Sequence, residues 1–180
     1  MQRPFFAMAA HLNLKVCGVD AKDAHAHSPG PAMNTCPAID DAHAEWCEKT
    51  FSKPINQSHV LPIKQALQGH PELGRLWEIH INAISRSPEL NFKTTTHDRT
   101  ICTTEFNGEK VCLLRQVDDF VLACTNEDTA DETHDVIGKK LQLPNEDKPL
   151  FAKLGLIADF NGIDVSQNRR THQAVLCHTH

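Results

Sequence analysis

The sequence contains no tyrosine, although its 180 residues include 12 histidines and 7 cysteines. Tyrosine codons become histidine or cysteine codons by one transition each. This imbalance leads to the hypothesis that many of the histidines and cysteines replaced tyrosines of an ancestor. Comparison of the coding DNA with that of intact relatives tests the hypothesis, and unrelated residues at the His and Cys positions would contradict it.

Long apolar runs and closely paired cysteines are also missing. The longest apolar segments, such as 120–124, are far too short to cross a bilayer, and His11 and Asn13 interrupt the weak apolar patch over 5–10, which makes it a poor signal peptide. The absence of a C-x-x-C pair disfavours a structural zinc finger, and nothing supports a disulfide framework. We therefore expect an intracellular protein, cytoplasmic or nuclear, that is neither secreted nor membrane-bound.

The chain lacks the excess of positive charge that is typical of a free-standing nucleic-acid binder. Its formal net charge is −5 and its pI is about 6.2. Because phosphate neutralisation supplies most of the affinity of such proteins, tight autonomous binding is disfavoured. A catalytic module whose basic surfaces lie on neighbouring parts of a longer protein is still compatible with this charge. The content of 40% apolar and 23% charged residues is typical of one globular domain.

The predicted elements indicate an α+β domain around an antiparallel sheet. Helical spacing, composition or capping residues predict four helical segments: 40–50, a short turn over 63–69, 74–85, and a helix after Thr125 or Asn126. Apolar and β-branched runs predict strands over 101–106, 110–115 and 120–125, and residues 12–19 form either a fourth strand or the end of a helix leading to Asp20. Asn107-Gly108 and Asn161-Gly162 suit hairpin turns, because asparagine and glycine tolerate a positive φ. Trp46 and Trp77 are predicted to lie in the core.

Two adjacent aspartates, Asp118 and Asp119, lie between two apolar strand-like runs. Adjacent carboxylates repel each other, and a tight turn between buried strands removes water from them. Divalent metal would offset this cost, and two Mg²⁺ ions about 3.5–4 Å apart can stabilise the attacking and leaving oxygens of a phosphoryl displacement. A solvent-exposed acidic turn is the alternative. Asp20 follows another apolar run and is a third carboxylate, with an ordinary helix N-cap as its alternative role.

Four segments, in the same order, resemble the reverse transcriptases of Copia-type LTR retrotransposons. The first, Asp20-Ala21-Lys22-Asp23-Ala24-His25, resembles the family's Asp-Val-Lys-Thr-Ala-Phe, and residues 66–77 resemble Ala-Leu-Tyr-Gly-Leu-Lys-Gln-Ala-Pro-Arg-x-Trp. The third, Gln116-Val117-Asp118-Asp119, resembles the Tyr-Val-Asp-Asp box. Residues 154–157 and 162–167 resemble Phe-Leu-Gly-Ile followed by Gly-Ile-x-Leu-Ser-Gln. Together these blocks cover roughly residues 12–170.

The resemblance implies an antiparallel-sheet polymerase palm with flanking helices, truncated fingers and no thumb over residues 1–170. Residues 171–180 show no strong pattern and are expected to form a divergent, disordered tail. The implied function is RNA-directed DNA polymerisation on a nucleic-acid template–primer with deoxynucleoside triphosphates; the integrase and RNase H of the polyprotein are missing here. The implied catalytic residues are Asp20, Asp118 and Asp119. They would bind two Mg²⁺ ions, which Mn²⁺ could replace. The implied nucleotide-binding residues are Ala21, Lys22, Asp23, His25, Gln68 and Gly69. Gln116 and Val117 would face the primer.

Departures from the family pattern predict weak or absent activity for the isolated chain. His25 stands where the family has an aromatic residue that excludes the ribose 2′-hydroxyl, so discrimination against ribonucleotides should be poor. Gln68 and Gln116 stand in place of tyrosines. The middle block also lacks the family's lysine, and Pro71 forbids a continuous helix there.

Two other classes of function are compatible with the residues. One is a non-catalytic interaction module, decayed or co-opted from the polymerase. The other is a transition-metal binder, and its candidate ligands are His25 and His27, or His172, Cys177, His178 and His180.

Overall fold

The computed structural model describes residues 2–31, 36, 38–55, 59–60, 64–143 and 151–178. Within these ranges there are four α-helices: α1 (Gln2–His11), α2 (Asp41–Phe51), α3 (Leu73–Ser85) and α4 (Glu127–Leu141). The same ranges contain nine strands: β1 (Lys15–Ala21), β2 (Lys93–Thr94), β3 (Ile101–Phe106), β4 (Glu109–Gln116), β5 (Asp119–Cys124), β6 (Phe151–Leu156), β7 (Asp159–Phe160), β8 (Ile163–Asn168) and β9 (Gln173–His178). A 3₁₀ turn covers Ala24–His27.

The strands form two antiparallel sheets. The larger sheet has six strands in the order β2-β3-β4-β5-β1-β6, so β1 lies inside the sheet between β5 and β6. The smaller sheet has the order β7-β8-β9. The predicted α+β class and antiparallel sheet are confirmed. Among the helices of the described ranges, none is both long and apolar enough to cross a lipid bilayer.

Hydrophobic residues pack on both faces of the six-stranded sheet, because successive strand residues point to opposite faces. On one face, Leu113 and Leu122 pack beneath α3 and α4. On the other, Leu114 and Val121 pack beneath α1 and part of the smaller sheet. Full burial of such a side chain contributes roughly 1.5–3 kcal/mol, so packing on both faces of the sheet contributes strongly to stability.

Local sequence signals account for several boundaries. Asn126 caps α4 by accepting a 3.2 Å hydrogen bond from the Asp128 amide, and the helix begins with acidic residues and ends with Lys139 and Lys140, which complements its dipole. The β3–β4 turn has φ of 51° at Asn107 and 79° at Gly108. The β7–β8 turn has 52° at Asn161 and 72° at Gly162. The α4 cap, both hairpins and the helix predicted over 74–85 are confirmed.

The structure differs from the sequence predictions in four respects. Residues 64–69 hold a β-bridge from Gln65 to Pro29 and a turn rather than a helical turn; residues 61–63 lie outside the described ranges. The helix α1 and the strands β2 and β6 were not predicted. Trp46 is 53% exposed, so its predicted place in the core is wrong.

The fourth difference concerns the C-terminal tail. Instead of being disordered as predicted, residues 173–178 form β9, which pairs with β8 along its length and contacts α1. The short apolar run Ala174-Val175-Leu176-Cys177 forms a strand because β8 and α1 provide it with partners. Residues 179 and 180 are not among those described.

Candidate carboxylate site

The register of β1 and β5 places Asp20 directly opposite Asp119. The next residue pair is Ala21 and Asp118, in which the Ala21 amide donates a 2.9 Å hydrogen bond to the Asp118 carbonyl. Asp20 and Asp119 therefore form a non-hydrogen-bonded antiparallel pair, in which the Cβ atoms are about 4.5–5.5 Å apart and point to the same face of the sheet. Two carboxylates from distant parts of the sequence thus lie side by side.

Gln116 extends this pair into a row across three strands, because it lies opposite Asp119 on β4. Its side-chain oxygen accepts a 2.7 Å hydrogen bond from the Gln2 amide of α1. The face that carries the row is the one covered by α1, since the alternate residues Val19 and Phe120 pack in the cluster beneath α3 and α4.

The turn that carries Asp118 has a strained backbone and is held by a hydrogen bond from α3. Val117 has φ of 54°, a left-handed conformation that is unfavourable for a β-branched residue and costs of order 1–3 kcal/mol. The Trp77 indole N–H of α3 donates a 2.7 Å hydrogen bond to the Val117 carbonyl. Asp118 itself is exposed at the tip of the turn. The anchor from α3 therefore fixes the backbone between Gln116 and the aspartates.

The electrostatic environment of Asp119 is negative. Partial burial raises the pKa of its carboxyl above the ordinary value, and the nearby carboxylates of Asp118, Asp20 and Asp159 raise it further. The ionised form is therefore disfavoured at this position, and a bound cation would reverse that effect. Asp159, at the start of β7, was missed by the sequence analysis because no local pattern links it to the aspartate turn.

The fit of a metal ion depends on the donor set. Within the described ranges, no group of three or more His, Cys, Asp or Glu side chains is arranged to hold a metal ion. Mg²⁺, however, prefers oxygen ligands and usually takes one or two carboxylates, with waters and substrate phosphates completing its octahedron. The facing carboxylates of Asp20 and Asp119 match that requirement, so the donor chemistry fits a hard divalent cation.

The residues predicted to lie near a nucleotide are less closely grouped than the aspartates. Ala21 is buried at the end of β1, while Lys22 and Asp23 are exposed in the following turn, where Asp23 has φ of 49°. His25 lies in the 3₁₀ turn, and its side chain is outside the described atoms. Gln68 and Gly69 occupy an exposed turn before α3, and in the described part of the chain they make no hydrogen bond to the three aspartates.

The candidate transition-metal ligands are scattered. His27 is buried, whereas the His172 ring lies 3.4 Å from the His11 carbonyl oxygen and Cys177 is exposed. The His178 side chain and all of His180 lie outside the described atoms. For the described residues, the structure adds no geometry in favour of this alternative.

Comparison of the chain with models of protein families, with curated proteins and with solved structures finds no match. The resemblance of the four segments to Copia-type reverse transcriptases is thus an interpretation of short motifs.

Proposed function

We propose that the chain is a reverse-transcriptase-like palm domain of a retrotransposon polyprotein, in which Asp20, Asp118 and Asp119 bind Mg²⁺ for nucleotidyl transfer, with weak or no polymerase activity in isolation. The observation that carries the proposal is the pairing of Asp20 with Asp119 across β1 and β5. The two residues belong to separate motifs of the resemblance, and the palm interpretation requires them to meet.

The order of elements also supports the proposal. When the inserted α2, β2 and β3 are left aside, the elements follow the order β1, α3, β4, β5, α4, β6. Their strands are neighbours in the order β4-β5-β1-β6, with both helices packed on one face. This is the β-α-β-β-α-β arrangement, a scaffold shared by many functions, so the argument for polymerisation comes from the carboxylates and not from the fold.

The residues have distinct roles in the proposed reaction. Asp20 and Asp119 hold the cation between neighbouring strands, and the exposed Asp118 reaches solvent from the turn tip, where substrate phosphates would arrive. Bound divalent cations would lower the pKa of the primer 3′-hydroxyl and neutralise charge on the pyrophosphate leaving group. Trp77 keeps the turn in place through its hydrogen bond to Val117.

Two features explain why we expect weak activity. Gln116, in place of the family's tyrosine, hydrogen-bonds Gln2 and offers no aromatic surface to a primer. The net charge of −5 opposes retention of template and primer, because phosphate contacts normally supply most of that affinity.

Primer extension with Mg²⁺ and with Mn²⁺ tests the proposal. The three proteins to compare are the wild type, Asp118→Asn, and Asp41→Asn as a control at an exposed aspartate of α2. We expect slow extension by the wild type and by Asp41→Asn. Asp118→Asn should lose more than the roughly 10–100-fold that removal of an outer-shell metal partner costs.

Equal extension by Asp118→Asn would contradict the assigned role of the turn. Absence of extension by the wild type, together with absence of cation binding, would favour the non-catalytic interaction module instead.

A further inference from the structure

A cleft of about 650 Å³ opens next to the aspartate turn but away from Asp20. It lies between α1, α3, the Gln116-Val117 turn and the smaller sheet. Sites for small organic ligands commonly have volumes of about 300–1,000 Å³ and combine apolar walls with a few polar groups. The cleft has the size and the mixed lining of such a site.

The lining combines apolar surface with an excess of positive charge. Val117 and the partly buried Leu176 provide the exposed apolar surface, and the nearly buried Trp77 and Leu114 lie behind it. The charged lining residues are two arginines, Arg3 and Arg115, and one carboxylate, Glu78. In a chain with a net charge of −5, a cleft with more cations than carboxylates selects anions locally.

Arg115 is the most unusual group of the lining because it is only 4% exposed. Its Nη2 donates to the Glu78 carboxylate and to the Asn82 side-chain oxygen, each at 3.1 Å. Its Nε is buried and meets no nitrogen or oxygen acceptor among the described residues, although the guanidinium also interacts with the Cys102 thiol. Glu78 is about half exposed, so the ion pair is open on the side of the carboxylate. A buried donor of a charged group without an acceptor is costly, and a ligand oxygen would remove that cost.

A second buried polar atom without a partner in the described chain belongs to another lining residue, Gln2. This atom is the side-chain oxygen, whereas the side-chain amide nitrogen of Gln2 is used by Gln116. The lining therefore presents an unused acceptor as well as an unused donor.

We propose that this cleft binds a small aromatic monoanion, with its ring against the exposed Val117 and the partly buried Leu176 and its anionic group at Arg115. The proposal is independent of metal binding at the carboxylate site, because the lining contains none of the three aspartates. A ligand in this position would contact the turn that carries Asp118, since Gln116 and Val117 form part of the wall.

Two fluorescent probes test the chemical class of the ligand. 8-Anilinonaphthalene-1-sulfonate carries one negative charge, and N-phenyl-1-naphthylamine has the same aromatic body without it. The chain has 2 tryptophans, so Trp46→Phe leaves Trp77, in the cleft wall, as the energy-transfer donor. We expect the sulfonate to quench Trp77 emission with an affinity about tenfold higher than that of the neutral probe, the range expected for one charge-assisted hydrogen bond. Equal affinities would overturn the assigned role of Arg115.

Gly74 offers a variant that blocks the cleft without disturbing the fold. It lines the cleft on α3, and a Cβ added there meets no atom within 4 Å. Leucine also favours a helix more than glycine does. Gly74→Leu, made in the Trp46→Phe background, should reduce sulfonate binding about tenfold or more by occupying part of the volume. Arg75→Leu adds the same side chain at the next position, where the native side chain is 70% exposed, and should bind like the parent.

The two exposed cysteines give an independent readout. Cys177 lines the cleft, whereas Cys36 does not. Saturating sulfonate should slow alkylation of Cys177 by iodoacetamide and leave that of Cys36 unchanged, as read from peptide masses. Unchanged binding in Gly74→Leu, or equal protection of both thiols, would place the probe elsewhere and overturn the proposal.

Discussion

Acidification from pH 7 to pH 4 should destabilise the fold by about 3 kcal/mol through His134 alone. His134 lies on α4 and is 1% exposed. Neither ring nitrogen has a hydrogen-bond partner within the described residues, and the ring packs edge-on against Phe151, with centroids 6.1 Å apart. The pKa of His134 is lowered to about 3, chiefly by burial and in addition by the charge of Lys153, whereas Asp135 opposes the shift.

The direction of the effect follows from proton linkage. An unfolded histidine has a pKa near 6.5, so between about pH 6.5 and pH 3 the unfolded chain binds a proton at this position that the folded chain does not. Stability is therefore complete above the unfolded value and is lost as the pH falls towards the folded one. Asp119 acts in the opposite sense because its pKa is raised on folding, so its protonation favours the folded state.

The variant His134→Phe separates the contribution of His134 to the acid sensitivity from the contributions of the other titratable groups. Urea unfolding at pH 7, 5.5 and 4 should show that the variant loses most of the acid sensitivity. At pH 7 it should be more stable than the wild type by about 1–3 kcal/mol, because an unsatisfied buried polar ring is replaced by an apolar one. His97→Phe, at an exposed histidine, serves as the control and should retain the wild-type pH dependence. The same pH dependence in His134→Phe would contradict the assignment.

Trp77→Ala should destabilise the fold by about 3–5 kcal/mol, the usual cost of truncating a buried aromatic residue. Trp77 is 3% exposed, packs edge-on against Phe120 with centroids 6.3 Å apart, and holds the Val117 carbonyl. Trp77→Phe keeps most of the packing but leaves the carbonyl without its donor, which should cost about 1–3 kcal/mol.

Trp46→Ala is the matched control, because Trp46 is 53% exposed and its ring packs against His43 and Phe51 of its own helix. Its effect on urea unfolding at pH 7 should stay within about 0.5–1 kcal/mol. If Trp77→Ala cost no more than Trp46→Ala, the aspartate turn would not depend on α3 as described.

Elements whose signals are local could be predicted from the sequence. Asn107-Gly108 specifies its turn through two residues with positive φ, and Asn126 together with the acidic first turn specifies the start of α4. These signals act within a few residues, so no knowledge of distant partners is needed.

Elements that depend on distant partners could not be predicted. Phe5 and Phe6 are buried because β7 and the larger sheet cover them, and the ring of Phe6 lies 6.1 Å from that of Phe160. Trp46 has apolar spacing on α2, but the described chain supplies no element that covers it. Periodicity identifies an apolar face without identifying what packs on it.

The candidate site divides in the same way. The Asp118-Asp119 turn and the strand-end position of Asp20 could be read locally, whereas the pairing of Asp20 with Asp119 depends on the register of β1 and β5. The approach of Asp159 and the burial of Arg115 also arise from tertiary packing and had no signal in the sequence.

The most direct test of the account is a Mn²⁺ titration followed by the electron paramagnetic resonance signal of the free ion, with Mg²⁺ as competitor. We predict that the wild type and Asp41→Asn bind Mn²⁺ and release it to excess Mg²⁺, whereas Asp20→Asn and Asp119→Asn bind it at least about tenfold more weakly. Without metal, Asp119→Asn should be more stable than the wild type at pH 7, because the pKa of Asp119 is raised by burial and neighbouring carboxylates. A cation site between β1 and β5 would be contradicted if the wild type did not bind Mn²⁺, or if Asp119→Asn bound Mn²⁺ with the same affinity as the wild type.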